Sequence, residues 1–205
     1  MFVAMIWRPT PDRMSAFHQA MEFWSLVGDI RYFDSGHEPF NRAASRNLAV
    51  RTAAELGHER LVVTDADCIP DFDALSAAWE AADDSSVRLP YTACNVRSPQ
   101  NADMGTFTFT CGGVYVTTPD AWFAVGGQDE RFDRWAPEDF AFSLAHQTLV
   151  GRPMARHDGL LLSLGHGEPD RHADAETDPN VALYRLYENA NGDKERMRSL
   201  CFPWS

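Results

Sequence analysis

Lysine is nearly missing. Lys194 is the only one in 205 residues, so positive charge rests on arginine. The basic stripe that broad contact with a nucleic-acid backbone requires is absent, and the formal net charge is −12. Cysteine is scarce too. Cys68, Cys94, Cys111 and Cys201 are widely spaced, and no Cys-x-x-Cys pair offers a zinc knuckle or a thioredoxin-like site. They read as free thiols in a reducing compartment. No apolar run approaches the roughly 20 residues that span a bilayer. Residues 1–8 carry no basic region ahead of their short apolar run, so they read as a strand and not as a signal peptide. These absences predict a soluble, cytoplasmic protein without membrane contact.

What is present is ordinary for a globular chain: 44% hydrophobic and 23% charged residues, enough for a real core. Residues 1–60 hold seven arginines and seven acids, so the whole charge deficit falls beyond them. An arginine cluster in an otherwise acidic chain suits a small phosphorylated ligand.

Strand and helix signals alternate through the first ninety residues. A buried strand is predicted at 2–7, then Thr10 as N-cap with Pro11 at the first helical position. Met14, Phe17, Met21 and Trp24 follow at helical spacing, up to Gly28. A strand at 30–33, a helix at 41–56, a strand at 61–64 and a helix carrying Phe72, Leu75 and Trp79 lead to a strand at 87–91. This alternation predicts a mostly parallel sheet with right-handed crossovers, whose ligands bind beyond the carboxyl ends of the strands. Arg8, Asp34 and Asp65-Ala66-Asp67 fall at those ends. The second half is less regular. A strand is expected at 106–117, interrupted by Gly112-Gly113. A short helix should start at Thr118-Pro119, and another after Pro137 with Phe140 and Leu144 inward. A strand is expected at 160–164, then a long His- and acid-rich loop, and Asp178-Pro179 capping a final helix. Without repeat or linker, the chain reads as one domain over 1–205.

Asp65-x-Asp67 follows an apolar strand, so its carboxylates can converge on one hard cation that in turn grips a diphosphate. Haloacid-dehalogenase-type phosphatases also place Asp-x-Asp after a strand. They need a downstream lysine, and the single lysine here is far along the chain. Trp135-Ala136-Pro137-Glu138-Asp139 puts two acids on the first turn of a helix, where the helix dipole alone favours them. The pairs Gly112-Gly113 and Gly126-Gly127 permit close backbone approach to a ligand, and together these segments read as the wall of a site.

Three segments in order carry a resemblance. Phe40-Asn41-Arg42-Ala43 with Asn47 resembles the nucleotide-binding stretch of the β-1,4-galactosyltransferases. Asp65-Ala66-Asp67-Cys68-Ile69-Pro70 is similar to their metal motif. Gly112-Gly113-Val114 through Phe132, Trp135, Glu138 and Asp139 is similar to their C-terminal segment, parts of which the polypeptide N-acetylgalactosaminyltransferases share. Trp135-Ala136-Pro137 departs from the family's glycine-rich approach to the acids. The similarity covers most of residues 1–145.

The resemblance implies a GT-A fold, a Rossmann-like α/β/α sandwich with a mostly parallel central sheet. A nucleotide-sugar-binding half (1–92) would precede an acceptor and catalytic half (93–205). It implies a metal-dependent transfer of a hexose or N-acetylhexosamine from a UDP-sugar to a hydroxyl acceptor, inverting at the anomeric carbon. The divalent cation would be Mn²⁺, with Mg²⁺ as the alternative. Asp67 and His166 would ligate it, and Asp65 would reach it through water or touch the ribose. His172 is a second candidate ligand. Arg8, Asp34, Phe40, Arg42, Arg46, Asp65, Gly112 and Gly113 would bind the donor, with Arg13 a further phosphate contact. Trp135 and Glu138 would bind the acceptor. Asp139, or in second place Glu138, would be the base. Without the stem and anchor of the Golgi enzymes, a bacterial or phage-encoded relative is expected. Two other readings share these residues: a binding relative without turnover, and an enzyme whose acceptor is a modified phage DNA base, which the acidic charge disfavours.

Overall fold

The computed structural model describes residues 1–167 and 177–202. Strand β1 (Phe2–Ile6) is buried along its whole length, as an apolar run without alternation requires. It pairs in parallel with β2 (Asp29–Phe33) on one side and β3 (Leu61–Asp65) on the other. Helix α1 (Met14–Val27) makes the first crossover and α2 (Arg42–Glu55) the second. Thr10 does not cap α1. It is extended, its side chain makes no capping bond, and Pro11 opens a short 3-10 turn ahead of the helix. Asn41 does cap α2, accepting from the Ala44 N–H at 2.8 Å.

After β3 come β4 (Cys68–Pro70), α3 (Phe72–Glu80) and β5 (Arg88–Leu89), the last shorter than expected. Phe72 stays half exposed, while Leu75 is buried. The predicted strand over 106–117 is two strands in two sheets. β6 (Ala93–Arg97) and β7 (Asp103–Phe107) form a hairpin, and the chain returns to the first sheet only at β8 (Val114–Thr117). Gly113, at φ +87°, breaks the strand between them.

The larger sheet has the order β2-β1-β3-β8-β5-β9, with β9 at Ala155–Arg156. Only β8 runs against the others, pairing antiparallel with β3 and β5. The smaller sheet has the order β4-β10-β6-β7, with β10 at Leu160–Ser163. Short helix α4 (Pro119–Phe123) and α5 (Glu138–Val150) follow β8. Helix α6 (Pro179–Ala190) is not the last element, because the chain turns at Gly192 into α7 (Lys194–Cys201). These two helices bury Tyr187 and Met197 in a small core with Phe132 and Ala141, where Leu144 packs as predicted. Phe140, expected inward, is 39% exposed.

His146 on α5 is fully buried and wired to the backbone. Nε2 accepts from the Val87 N–H at 3.2 Å, and Nδ1 donates to the Arg152 carbonyl at 3.1 Å. Protonation of Nε2 would break the first bond, and burial holds the pKa down to about 4. The native state therefore keeps this histidine neutral while the unfolded chain protonates it below about 6.5. Its contribution is full above that pH and is lost as pH falls toward 4. Across about 2.5 units the loss is roughly 3 kcal/mol. The stability advantage of wild type over His146→Gln should therefore shrink as urea melts are taken from pH 7 to pH 4. An advantage that grows toward pH 4 counts against this account.

Candidate active site

A cleft of about 890 Å³ opens where the carboxyl ends of β1 and β3 face the smaller sheet. The Asp65-Ala66-Asp67 segment crosses its floor and is pinned on both sides. The Asp65 N–H donates to the Gly113 carbonyl at 2.8 Å, and the Leu164 N–H donates to the Asp67 carbonyl at 2.8 Å. Trp24 on α1 adds a third tie through its indole N–H to the Cys68 carbonyl at 2.9 Å. Because β8 runs in reverse, its entry, Gly112-Gly113, lies beside the exit of β3. That reversal brings two sequence-distant motifs to one edge.

Asp67 and His166 meet. The His166 Nε2 lies 3.0 Å from Asp67 Oδ2 and 3.3 Å from Nη2 of Arg13. One ring nitrogen cannot donate to the carboxylate and accept from the guanidinium at once. Burial raises the Asp67 pKa, but the His166 hydrogen bond and the charges of His166 and Arg13 outweigh it and hold the carboxyl below its usual range. A carboxylate and an imidazole nitrogen converging this way fit the oxygen and nitrogen donors of Mn²⁺ and similar cations. No cluster of three ligating side chains forms among the described residues. His172 lies outside the described residues.

Asp65 is not aimed at that point. Both its oxygens lie 2.8 Å from Nη2 of Arg46. Arg46, expected at the donor phosphates, is fully buried and does not line the cleft. Its other terminal nitrogen lies 2.5 Å from Asp139 Oδ1, 2.9 Å from Gln128 Oε1 and 3.4 Å from Glu138 Oε1. One guanidinium thus balances three acids drawn from β3 and α5. A helix position in an alanine-rich stretch reads as solvated, so only these distant partners explain the burial.

Asp139 lines the cleft. Its Oδ1 accepts from Arg46, from the Tyr115 hydroxyl at 2.5 Å and from Gln128 Nε2 at 3.1 Å. Oδ2 lies against Gly112, where even a Cβ would collide with it. Burial raises the pKa, yet Arg46 and Arg42, with the Tyr115 and Gln128 hydrogen bonds, leave the carboxyl below its usual range. Sequence reading missed Tyr115 and Gln128. The signals were their places directly after Gly112-Gly113-Val114 and Gly126-Gly127.

Glu138, expected at the acceptor, faces the protein interior instead. It is 2% exposed and pairs with Arg42 at 2.9 Å. Burial pushes its carboxyl up to about 7, although Arg42 pulls the other way. Arg42 itself reaches the cleft wall beside Phe40. Arg8 and Asp34 do meet, through two contacts of 2.7 Å, with Glu38 at 2.8 Å and the Phe40 ring 5.0 Å away. They do not line the cleft, though Phe40 beside Arg8 does. Trp135, 47% exposed, and Phe140 also line the cleft. Cys68, Cys94 and Cys111 are free and line the cleft, but burial raises all three thiols, Cys94 to about 11, so they stay protonated.

A mostly parallel sheet with one reversed strand, flanked by helices and meeting a smaller sheet across a cleft, is the GT-A glycosyltransferase fold. The particular likenesses are to solved enzymes of that fold. The Drosophila beta1,4-galactosyltransferase 7 catalytic domain with xylobiose superposes with a TM-score of 0.52, at 17% identity, over 78% of this chain and 66% of that one. A variant of the same enzyme with manganese, UDP-Gal and xylobiose gives 0.51 at 16% identity, over 76% and 64%. GalNAc-T7 with UDP, GalNAc and Mn²⁺ gives 0.54 at 10% identity, over 97% and 54%. The chain spans between about half and two thirds of the length of these proteins. At such identities the likeness is one of fold. By sequence, no family model and no curated protein matches the chain. No described helix is long and apolar enough to cross a membrane.

Proposed function

We propose that this chain is a metal-dependent glycosyltransferase, moving a hexose or N-acetylhexosamine from a UDP-sugar to a hydroxyl acceptor with inversion. The observation that carries the reading is the meeting of Asp67 and His166 at 3.0 Å on the floor of a GT-A cleft. The complexes of the structural neighbours support it, since they hold UDP or UDP-Gal with manganese, and xylobiose in the galactosyltransferase. Asp67 and His166 would hold the cation, which when bound stabilises the departing diphosphate. Arg13, beside His166, supplies charge to the same phosphates. Phe40 and Arg42 form the donor wall, and the open glycine backbone at 112 and 113 lets the sugar approach Asp139. The half-exposed Trp135 offers the acceptor an apolar face.

The test is UDP release from a panel of UDP-sugars with Mn²⁺, with Mg²⁺ or with chelator, alongside calorimetry of UDP. Release should require the cation and continue over many turnovers, which a binding relative cannot do. In Asp67→Ala, Mn²⁺ should no longer strengthen UDP binding, because the carboxylate that meets His166 is gone. An equal Mn²⁺ effect on UDP affinity in wild type and variant would remove Asp67 from the metal site.

A further inference from the structure

The cleft holds an arginine that neither the motifs nor the fold accounts for. Arg97 ends β6 and lines the cleft. Period-two alternation would not place it there. Cys94 and Val96 line the cleft from one face of β6, so the next residue belongs on the other face, with Asn95. The register shifts at this point. Cys94 to Val96 pair with residues 107 to 105 in step, but Arg97 pairs with Asp103, skipping Met104. The extra residue belongs to β7, at the end of β6, and Arg97 and Met104 both line the cleft.

No side-chain nitrogen of Arg97 has a hydrogen-bond or ion-pair partner among the described residues, and its Nε is buried. The other cleft arginines are engaged, Arg42 with Glu138 and Arg13 with His166. Acids are not in short supply, with 30 Asp and Glu against 18 Lys and Arg. Asp103, its register partner, senses the charge but takes its hydrogen bonds from Asn95 and the Gly105 N–H. The Arg97 backbone is also fixed. Gly165, which leads into His166, packs directly on the carbonyl of Arg97 and on Ser98, leaving no room for a Cβ. The arginine therefore stands beside the loop that carries His166.

We propose that Arg97 is a substrate-binding residue for an oxyanion, a phosphate or carboxylate held in the cleft by the guanidinium fork. Within the glycosyltransferase reading, on which the sources below rest, that oxyanion belongs either to the donor diphosphate or to an acidic acceptor. Both are read by the same chemistry.

The experiment is calorimetry of wild type, Arg97→Gln and Arg97→Lys with inorganic pyrophosphate, UDP, uridine and glucuronate, with thermal melts of each variant. Loss of a charged hydrogen-bond pair should weaken oxyanion binding about tenfold or more. Pyrophosphate and UDP weakening together in Arg97→Gln, with uridine unchanged and Arg97→Lys partly restored, supports the proposal and assigns the donor. Glucuronate weakening while UDP holds supports it and assigns an acidic acceptor. The proposal is overturned if wild type binds none of the charged probes, if Arg97→Gln binds them as wild type does, or if uridine weakens equally. UDP-sugar turnover and probe binding both untouched by Arg97→Gln would remove this role and leave the glycosyltransferase reading intact. Pyrophosphate binding through Arg97 without turnover of any UDP-sugar would do the reverse.

Discussion

Asp139→Asn should lower kcat by about 10²–10⁴ while UDP affinity stays nearly constant, as expected for a lost general base. The geometry makes the substitution clean. Oδ1 holds the Arg46, Tyr115 and Gln128 donors, and an amide oxygen can keep that place. The change then falls on Oδ2, which lies against Gly112. The depressed pKa also has a readable consequence. With its carboxyl held below the usual range, Asp139 as the proposed base is ionised throughout the neutral range, so kcat should not rise between pH 6 and 8 on its account. That same depression makes Asp139 a weak base, so its usefulness rests on alignment with the acceptor hydroxyl. Steady-state kinetics decide the matter. A variant keeping more than about a tenth of wild-type kcat is not missing its base. A product of retained configuration removes the need for one.

Arg46→Met should be the most destabilising single change in the cleft region. Removing one partner of a buried ion pair typically costs about 3–5 kcal/mol, because the charges left behind stay buried. Here three carboxylates lose their shared cation. Against a total of about 5–15 kcal/mol for a domain, that is a large fraction. Urea melts should show the loss, and part of it should return when Asp139→Asn is added, since one stranded charge is then gone. A loss below about 1 kcal/mol would mean the network contributes little to the fold.

The first half of the fold was legible because β1 and β3 are buried apolar runs and α1 and α3 carry one-sided apolar spacing. Phe2–Ile6 and Leu61–Asp65 could hardly be anything else. The smaller sheet was not legible. Asp103–Phe107 is largely exposed and mixes polar and apolar residues, so no face stands out in its sequence. The Asp67–His166 meeting was anticipated through the resemblance, which implies a histidine beyond the acidic motif and left His166, at a strand end, and His172 as candidates. The partners of Arg46 were not, since Asp65 and Asp139 lie 19 and 93 positions away. Local patterns signal which residues can be charged, but not which charges will be shut inside together. Glu138 shows the same limit: its place on the first turn of α5 was plain, and its inward direction was set by Arg42.

Reversed strand β8 bears on how such a cleft can diversify. The chain leaves the larger sheet at Leu89, builds the β6–β7 hairpin and returns at Val114 beside the already placed β3. Insertions or deletions in that excursion re-cut one wall of the cleft without shifting the β3–β8 register that fixes Asp65. New substrate preferences can arise there by changes in length, a freedom the arginine-locked acids on the other side do not have. A graft of residues 93–111 crosses no strand of the larger sheet, which makes it the natural unit to exchange when the aim is a different wall above the same cleft floor.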